Sequence, residues 1–204
     1  MVIGNSNQKL MKTLRTFIAA DFPSEILDKI ENITAFLKKQ TPTDALKWVS
    51  ADNQHLTLKF IGDLPEPKLE EVKFALADAL RAQSLFTISV KGLGAFPNWQ
   101  DPRVIWLGIN HDSSLNKTHQ KIELALEQIG IARDHRAFNP HLTIARLRRN
   151  AEKDSALQIG KTLSQFKVDT LGSASIDTIR LYQSELTPRG PIYTPLLTLA
   201  LNQV

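Results

Sequence analysis

A four-residue pattern that occurs twice constrains this chain most: His-Leu-Thr followed by an aliphatic residue, at 55–58 and again at 141–144. Each copy begins a segment whose composition and alternation are typical of a β-strand. Only five histidines occur in the 204 residues, and two of them are followed by Leu-Thr. At this chain's frequencies of Leu and Thr, the probability of that by chance is about one in a thousand. The sequence therefore predicts two similar strands that contribute to the same function.

Strand geometry gives the repeated pattern a physical meaning. Side chains at positions i and i+2 of a strand point to the same face, about 6.5–7 Å apart. His55 and Thr57 therefore share one face, and His141 and Thr143 share another. The aliphatic residues of both copies point the opposite way, which predicts a core beneath each motif.

The residue types of the two motifs suit acid–base chemistry on an anion. An imidazole can give or take a proton near neutral pH, and a hydroxyl can donate to a phosphate oxygen. Two such strands facing each other would surround one phosphorus centre with two imidazoles and two hydroxyls. One histidine could take a proton from water while the other protonates the leaving oxygen. The pattern favours in-line cleavage of a phosphodiester.

The remaining chain predicts an α+β fold with mostly strands and about four helices. Apolar residues recur at helical spacing after Pro23 and after Pro65, and again across 113–129 and 151–166. Strands are expected at 13–22, 46–49, 55–64, 86–96, 104–109, 139–147, 174–186 and 192–201, with a hairpin turn at 187–191. Residues 1–12 are polar and aperiodic, which predicts a flexible leader before a single domain over 13–204.

Composition excludes several classes of protein. The chain has no cysteine, so a disulfide framework, a cysteine nucleophile and a thiolate metal site are excluded. This composition is compatible with a reducing cytoplasm. No apolar run reaches 18 residues, which predicts that the chain does not enter a membrane. The net charge of +4 permits an anionic ligand. The sequence contains no Walker loop, Rossmann fingerprint or nucleophile elbow. It therefore lacks a nucleotide-binding motif that ATP-driven ligation would use.

The paired motifs resemble the H-x-T-x signatures of the two-histidine phosphoesterase superfamily. The resemblance extends over roughly residues 13–201 and is most similar to the RNA 2′,3′-cyclic phosphodiesterase branch, whose members were once called 2′-5′ RNA ligases. It is carried, in matching order, by FIAADFP (17–23), Trp48 with NQHLTLKFIGDL (53–64), RVIWLGI (103–109), FNPHLTIAR (138–146), LYQSEL (181–186) and YTPL (193–196).

The resemblance implies a bilobal fold in which two pseudo-symmetric lobes of antiparallel sheet, with outer helices, surround a central cleft. It implies hydrolysis of an RNA 2′,3′-cyclic phosphate to a 2′-phosphate, without metal or other cofactor. Within the family, the first histidine is assigned as proton donor and the second as acceptor. Carried over, His55 is the acid and His141 the base, with Thr57 and Thr143 on the phosphate oxygens. No obligate protein partner is evident.

Several other residues have two interpretations each. Arg146 contacts the substrate if the resemblance holds, yet alternation puts it opposite His141, so a bulge or strand end must redirect it. Lys59 shares the His55 face by parity and could line the cleft or sit at its rim. Arg148 and Arg149 could bind an RNA backbone or be solvated. His119 and Glu123 are one helical turn apart, but a third metal ligand is not evident. Four aromatic residues could stack on a terminal base or pack in the core: Phe17, Trp48, Phe60 and Phe138.

Two other functions remain open at this point. The chain could hydrolyse small nucleotides, such as cyclic ADP-ribose phosphate or 2′-5′ oligoadenylate. It could also be a binding module for nucleotides without catalysis, although both motifs are intact.

Overall fold

The computed structural model describes residues 12–188 and 190–202, which form two antiparallel sheets and four α-helices. The strands are β1 Thr13–Ala20, β2 Leu46–Trp48, β3 Leu56–Pro65, β4 Phe86–Phe96, β5 Val104–His111, β6 His141–Leu147, β7 Gly172–Ile176, β8 Thr178–Thr187 and β9 Gly190–Ala200. The helices are α1 Ser24–Gln40, α2 Leu69–Leu80, α3 Ser113–Gln128 and α4 Lys153–Leu163. The predicted leader lies outside the described residues, apart from Lys12.

Each sheet contains one of the two motif strands. The first sheet has the strand order β3-β1-β8-β9, and the second has the order β2-β6-β5-β4-β7. All paired strands in both sheets are antiparallel. The predicted α+β architecture of two antiparallel sheets with outer helices is confirmed.

Apolar residues on the helices close a core that is continuous beneath both sheets. Ile26, Ile30 and Leu37 of α1 are fully buried, as the helical spacing predicts. Helices α2 and α3 pack against each other and bury Val72, Leu76, Leu115, Ile122 and Leu126. The aliphatic residues of both motifs are buried in this core, so the sheet faces that carry the histidines are supported from behind.

One predicted strand is in fact two. The sequence predicts a single stretch over 174–186, but the chain breaks at Asp177 and changes sheets there. Strand β7 pairs with β4 in the second sheet, and β8 pairs with β1 and β9 in the first. The apolar pattern continues through the break because both strands bury one face, so it gives no sign of the change of sheet.

A β-bulge lies at the fourth residue of each motif. Between β1 and β3, Ala19 pairs with Thr57 and Ile18 with Lys59, so Leu58 is an extra residue. Between β5 and β6, Trp106 pairs with Thr143 and Ile105 with Ala145, so Ile144 is extra. A bulge reverses the alternation of the side chains that follow it. As a result, the fifth residue after each histidine returns to the histidine's face.

Among residues 12–188 and 190–202, the helices are all too short or too polar to cross a membrane.

Candidate active site

A cleft of about 520 Å³ lies between the two motif strands. The five side chains that the sequence predicts for the site all line it: His55, Thr57, His141, Thr143 and Arg146. His55 directly precedes β3 and His141 is the first residue of β6, so the two motifs approach each other from different sheets. The structure thus brings the predicted residues together, while their individual roles remain predictions.

His55 is held by aromatic rings. Its imidazole stacks on Phe17 at 4.7 Å between ring centroids, and the ring of Tyr193 meets it edge-on at 5.2 Å. Burial lowers the pKa of His55 to about 4, with a further lowering from the charge of Arg146. A hydrogen bond with the backbone of Asn53 partly opposes this shift. His55 is therefore neutral at pH 7 in the ligand-free protein.

The backbone fixes the orientation and the tautomer of His141. Its Nδ1 lies 2.7 Å from the carbonyl oxygen of Asn139. A carbonyl oxygen only accepts, so Nδ1–H is the donor, and Nε2 of the neutral ring keeps a free lone pair. Phe96 supports the ring edge-on at 4.9 Å. Burial lowers the pKa of His141, the Asn139 hydrogen bond raises it, and Arg146 lowers it further.

Arg146 reaches the cleft because of the bulge at Ile144. Without the extra residue, its guanidinium would point away from His141. Directly across the ladder, Arg146 pairs with Lys47 of β2, and both side chains line the cleft. Arg15 of β1 adds a third cationic group. The described lining includes neither Asp nor Glu, so the cleft favours an anionic ligand.

Lys59 lies neither in the cleft nor at its rim, so both interpretations of the sequence are wrong for this residue. The bulge at Leu58 turns its side chain into the interior, where it pairs with Glu123 of α3 at 2.8 Å. Phe60 takes the position on the cleft side and stays 49% exposed. The guanidinium of Arg15 lies 4.6 Å from the centroid of the Phe60 ring. Phe60 and Arg146 thus occupy equivalent positions, each five residues after the histidine of its motif.

Three of the four aromatic candidates line the cleft, and one does not. Phe17, Trp48 and Phe60 are in the lining. Phe138 instead stacks on His119, with ring centroids 4.0 Å apart and planes 10° apart. Their positions allow the first three to contact a base, while Phe138 belongs to the packing beneath the second motif.

Sequence reasoning missed several residues of the lining. Arg15 lies two positions before Phe17 on β1, so strand parity could have placed both on one face. Tyr193 lies in a segment that carries the family resemblance, yet its place beside His55 depends on the pairing of β8 with β9. The further lining residues that were not singled out include Lys47, Ser50, Asn53 and Ser184.

His55 also borders a second, smaller cavity on its other side, of about 380 Å³. The polar cluster there is built on Asp21, which pairs with Arg180 and accepts a hydrogen bond of 2.8 Å from the Tyr182 hydroxyl. Burial raises the pKa of Tyr182, against the opposing charge of Arg180. Tyr182 and Tyr193 border this cavity together with His55, so the imidazole lies between a cationic cleft and a fixed polar cluster.

A cationic cleft with two imidazoles and two hydroxyls on opposed strands is equipped for phosphoester chemistry. A family model described as LigT like Phosphoesterase matches the chain twice, over residues 21–106 and 107–193. The chain belongs to this LigT-like phosphoesterase family. Each matched half contains one His-Leu-Thr motif, so the two halves of this LigT-like phosphoesterase correspond to the two sides of the cleft.

Similar proteins are known over nearly the whole chain. An RNA 2′,3′-cyclic phosphodiesterase from Methanothermobacter thermautotrophicus is 34% identical over 184 residues, covering 90% of this chain and 96% of that protein. A protein of the same name from Escherichia coli K12 is 30% identical and covers 93% and 97%. The crystal structure of E. coli LigT with 3′-AMP has a TM-score of 0.72 at 28% identity, covering 94% and 99%.

Proposed function

We propose that this LigT-like phosphoesterase hydrolyses RNA 2′,3′-cyclic phosphate ends to 2′-phosphates. The observation that carries the proposal is the convergence of both motifs on one cleft whose charged lining is cationic. The relatives named RNA 2′,3′-cyclic phosphodiesterase, at 30–34% identity over most of their length, support the same substrate. The mildly basic chain suits a polyanionic partner.

The proposed roles follow from the geometry of the two histidines. His141 is held through Nδ1, so its free Nε2 takes a proton from the attacking water. A P–O bond forms to that oxygen, and the bond from phosphorus to the 3′-oxygen breaks. His55 protonates the leaving 3′-oxygen. Thr57, Thr143 and Arg146 hold the phosphate oxygens as charge builds up on them.

The low pKa of His55 has a consequence for the order of events. As an acid, His55 must carry a proton when substrate is bound, although it is neutral in the free protein near pH 7. The negative charge of a bound phosphate favours the imidazolium and offsets the effect of Arg146. Substrate binding therefore raises the pKa of His55 and favours the protonated form that the reaction needs.

The same site could join RNA ends without ATP if the 5′-hydroxyl of a second strand takes the place of water: its oxygen attacks the cyclic phosphate, and the bond from phosphorus to the 3′-oxygen breaks. His141 would take the proton of that hydroxyl and His55 would protonate the 3′-oxygen, so weak, reversible 2′-5′ ligation is an expected side activity. The RNA chain beyond the terminal nucleotide would meet Lys47 and Arg15 at the cleft, with Phe60 or Trp48 available to a base.

The deciding experiment offers the protein an oligonucleotide that ends in a 2′,3′-cyclic phosphate and identifies the position of the product phosphate. A 2′-phosphate supports the proposal, whereas a 3′-phosphate contradicts the assigned leaving group. Parallel samples with cyclic ADP-ribose phosphate and 2′-5′ oligoadenylate separate this function from the small-nucleotide alternative. Binding of the oligonucleotide without turnover would indicate a binding module.

We also propose a cytoplasmic location, with which the cysteine-free sequence is compatible.

Turnover is expected to survive chelation. Both proton transfers are assigned to imidazoles, and the phosphate charge is met by hydroxyls and cations. The described residues contain no group of three side chains that would suit a metal ion. The measurement is the initial rate after dialysis against EDTA, compared with a sample given Mg²⁺ or Mn²⁺ afterwards. Activity that is lost in EDTA and restored by the ion would refute the mechanism.

The pH profile of kcat/KM is expected to be bell-shaped, with its optimum below pH 6.5. The competent form needs protonated His55 and neutral His141, and burial lowers the pKa of both in the free protein. The profile of kcat should lie at higher pH because bound phosphate raises both values. Each limb of the profile gives an apparent pKa that belongs to the coupled pair of histidines rather than to one residue.

Both profiles can be measured at roughly 0.5-unit steps from about pH 3 to pH 9, which includes both limbs. A kcat/KM that rises steadily into the alkaline range would indicate attack by hydroxide and would contradict the two-histidine assignment.

A further inference from the structure

An ion pair buried beneath the cleft has no part in the mechanism above. Lys59 Nζ and Glu123 Oε2 are 2.8 Å apart, and their side chains are only 4% and 7% exposed. Burying two charges costs desolvation, and an apolar pair of similar volume is often as stable. A buried pair is thus weak evidence for a purely stabilising role, and the contacts of its remaining polar atoms indicate what it does here.

Both members of the pair bind the same stretch of chain, the segment 129–140 that joins α3 to β6. Lys59 Nζ donates a second hydrogen bond to the carbonyl oxygen of Ala132, at 2.8 Å. Glu123 Oε2 accepts one from the backbone N–H of Asp134, at 3.2 Å. The segment 129–140 contains no helix or strand, so these bonds substitute for regular backbone pairing.

A stacked pair of rings holds the same segment nearer to the active site. His119 of α3 stacks on Phe138 with their planes 10° apart, and its Nε2 lies 3.6 Å from Glu123 Oε1. Phe138 is three residues before His141. One residue after Phe138, the carbonyl oxygen of Asn139 accepts the hydrogen bond that orients the His141 ring. The segment therefore leads from the buried charges directly to the catalytic base.

The other end of this network is on the strand of the first motif. Lys59 is four residues after His55 on β3, and the bulge at Leu58 aims it inward. We propose that Lys59, Glu123 and His119 are positioning residues that fix His141 relative to His55. The inference rests on the proposed function, because it concerns the geometry of those two histidines. A base displaced by about 1 Å can cost on the order of 100-fold in rate.

The double variant Lys59→Met/Glu123→Leu tests the ion pair. It replaces both charges by apolar side chains of similar volume, so neither charge is left buried alone. We expect kcat to fall about 10–100-fold, with KM changed by less than roughly threefold, because the cleft lining is untouched. Backbone amides of 129–140 should exchange hydrogen faster. The matched control Glu70→Gln/Lys73→Met removes a surface pair on α2 and should change neither quantity.

A pair of substitutions at His119 separates ring packing from charge. Glu123 on α3, Lys59 on β3 and Asp134 in the segment face this imidazole. His119→Phe keeps a ring against Phe138 and cannot titrate, so it should retain kcat and the wild-type pH profile. His119→Ala removes the stack, so it should lower kcat and speed amide exchange in 129–140.

Faster exchange in 129–140 with wild-type kcat would overturn the proposal, since the segment would then be free to move without consequence. Equal kcat in His119→Phe and His119→Ala would also overturn it. If the double variant does not fold, the His119 pair decides, because its two members differ only in the ring. Failure of the proposed function is a separate result: a folded His141→Ala variant would keep turnover, whatever the exchange data show.

Discussion

Turnover in the His55→Ala and His141→Ala variants is expected to fall about 10²–10⁴-fold each, because each change removes one of the two proposed proton-transfer groups. The proteins should remain folded. Both rings face the cleft, and His55→Ala loses aromatic contacts worth about 0.5–1.5 kcal/mol each. Rate, thermal melting and binding of a 2′-phosphate nucleotide should be measured on the same preparations.

The double variant His55→Ala/His141→Ala adds a stricter test. Both groups act on one transition state, so its loss should be far smaller than the product of the single losses. His111→Ala is the matched control, because that histidine ends β5 and is not part of the cleft lining. A folded single variant with near-normal turnover would refute the site. Loss of folding in both single variants would show instead that these histidines are structural.

Arg146→Met is expected to lower kcat about 10²–10³-fold, the range seen when one donor to a developing oxyanion is removed. It should also move the pH profile in a defined direction. Arg146 lowers the pKa of both motif histidines, so its removal raises both values. The bell-shaped profile of kcat/KM should therefore shift toward higher pH.

Arg148→Met is the control for Arg146→Met. Arg148 is two residues further along, exposed, and bonded through Nε to the carbonyl oxygen of Asp44 outside the cleft. It should leave both kcat and the pH optimum unchanged. An equal loss in the two variants would mean that general surface charge, rather than a donor in the cleft, explains the effect of Arg146.

Local pattern was sufficient to predict the helices, the strands other than the break at Asp177, and the pairing of the two histidines. The period of the apolar residues depends on local burial, and the duplicated motif marks the face of each motif strand that lines the cleft. Where the sheet departs from regular alternation, local reasoning fails. Nothing in the residues around Leu58 distinguishes a bulge from a continuous strand, so parity placed Lys59 in the cleft instead of Phe60.

Arg146 shows that the parity argument gives a better prediction when the family resemblance is added to it. Parity alone pointed it away from His141, whereas the family resemblance suggested that it contacts the substrate, so either a bulge or a strand end was expected to redirect it. The structure has that bulge at Ile144. Lys47 and Tyr193 come to the cleft through pairings between distant strands, which no local pattern encodes.

The path of the chain between the sheets bears on how the cleft can move. Strand β1 is in the first sheet, β2 in the second, β3 in the first, β4 to β7 in the second, and β8 and β9 in the first. Along the described strands, the polypeptide thus passes between the sheets four times, and one apolar core underlies both. A hinge would need a few flexible connections, whereas these passages tie the two walls together. The loss of conformational entropy that fixes the distance between the two histidines therefore occurs when the chain folds. A substrate then binds to a preorganised site.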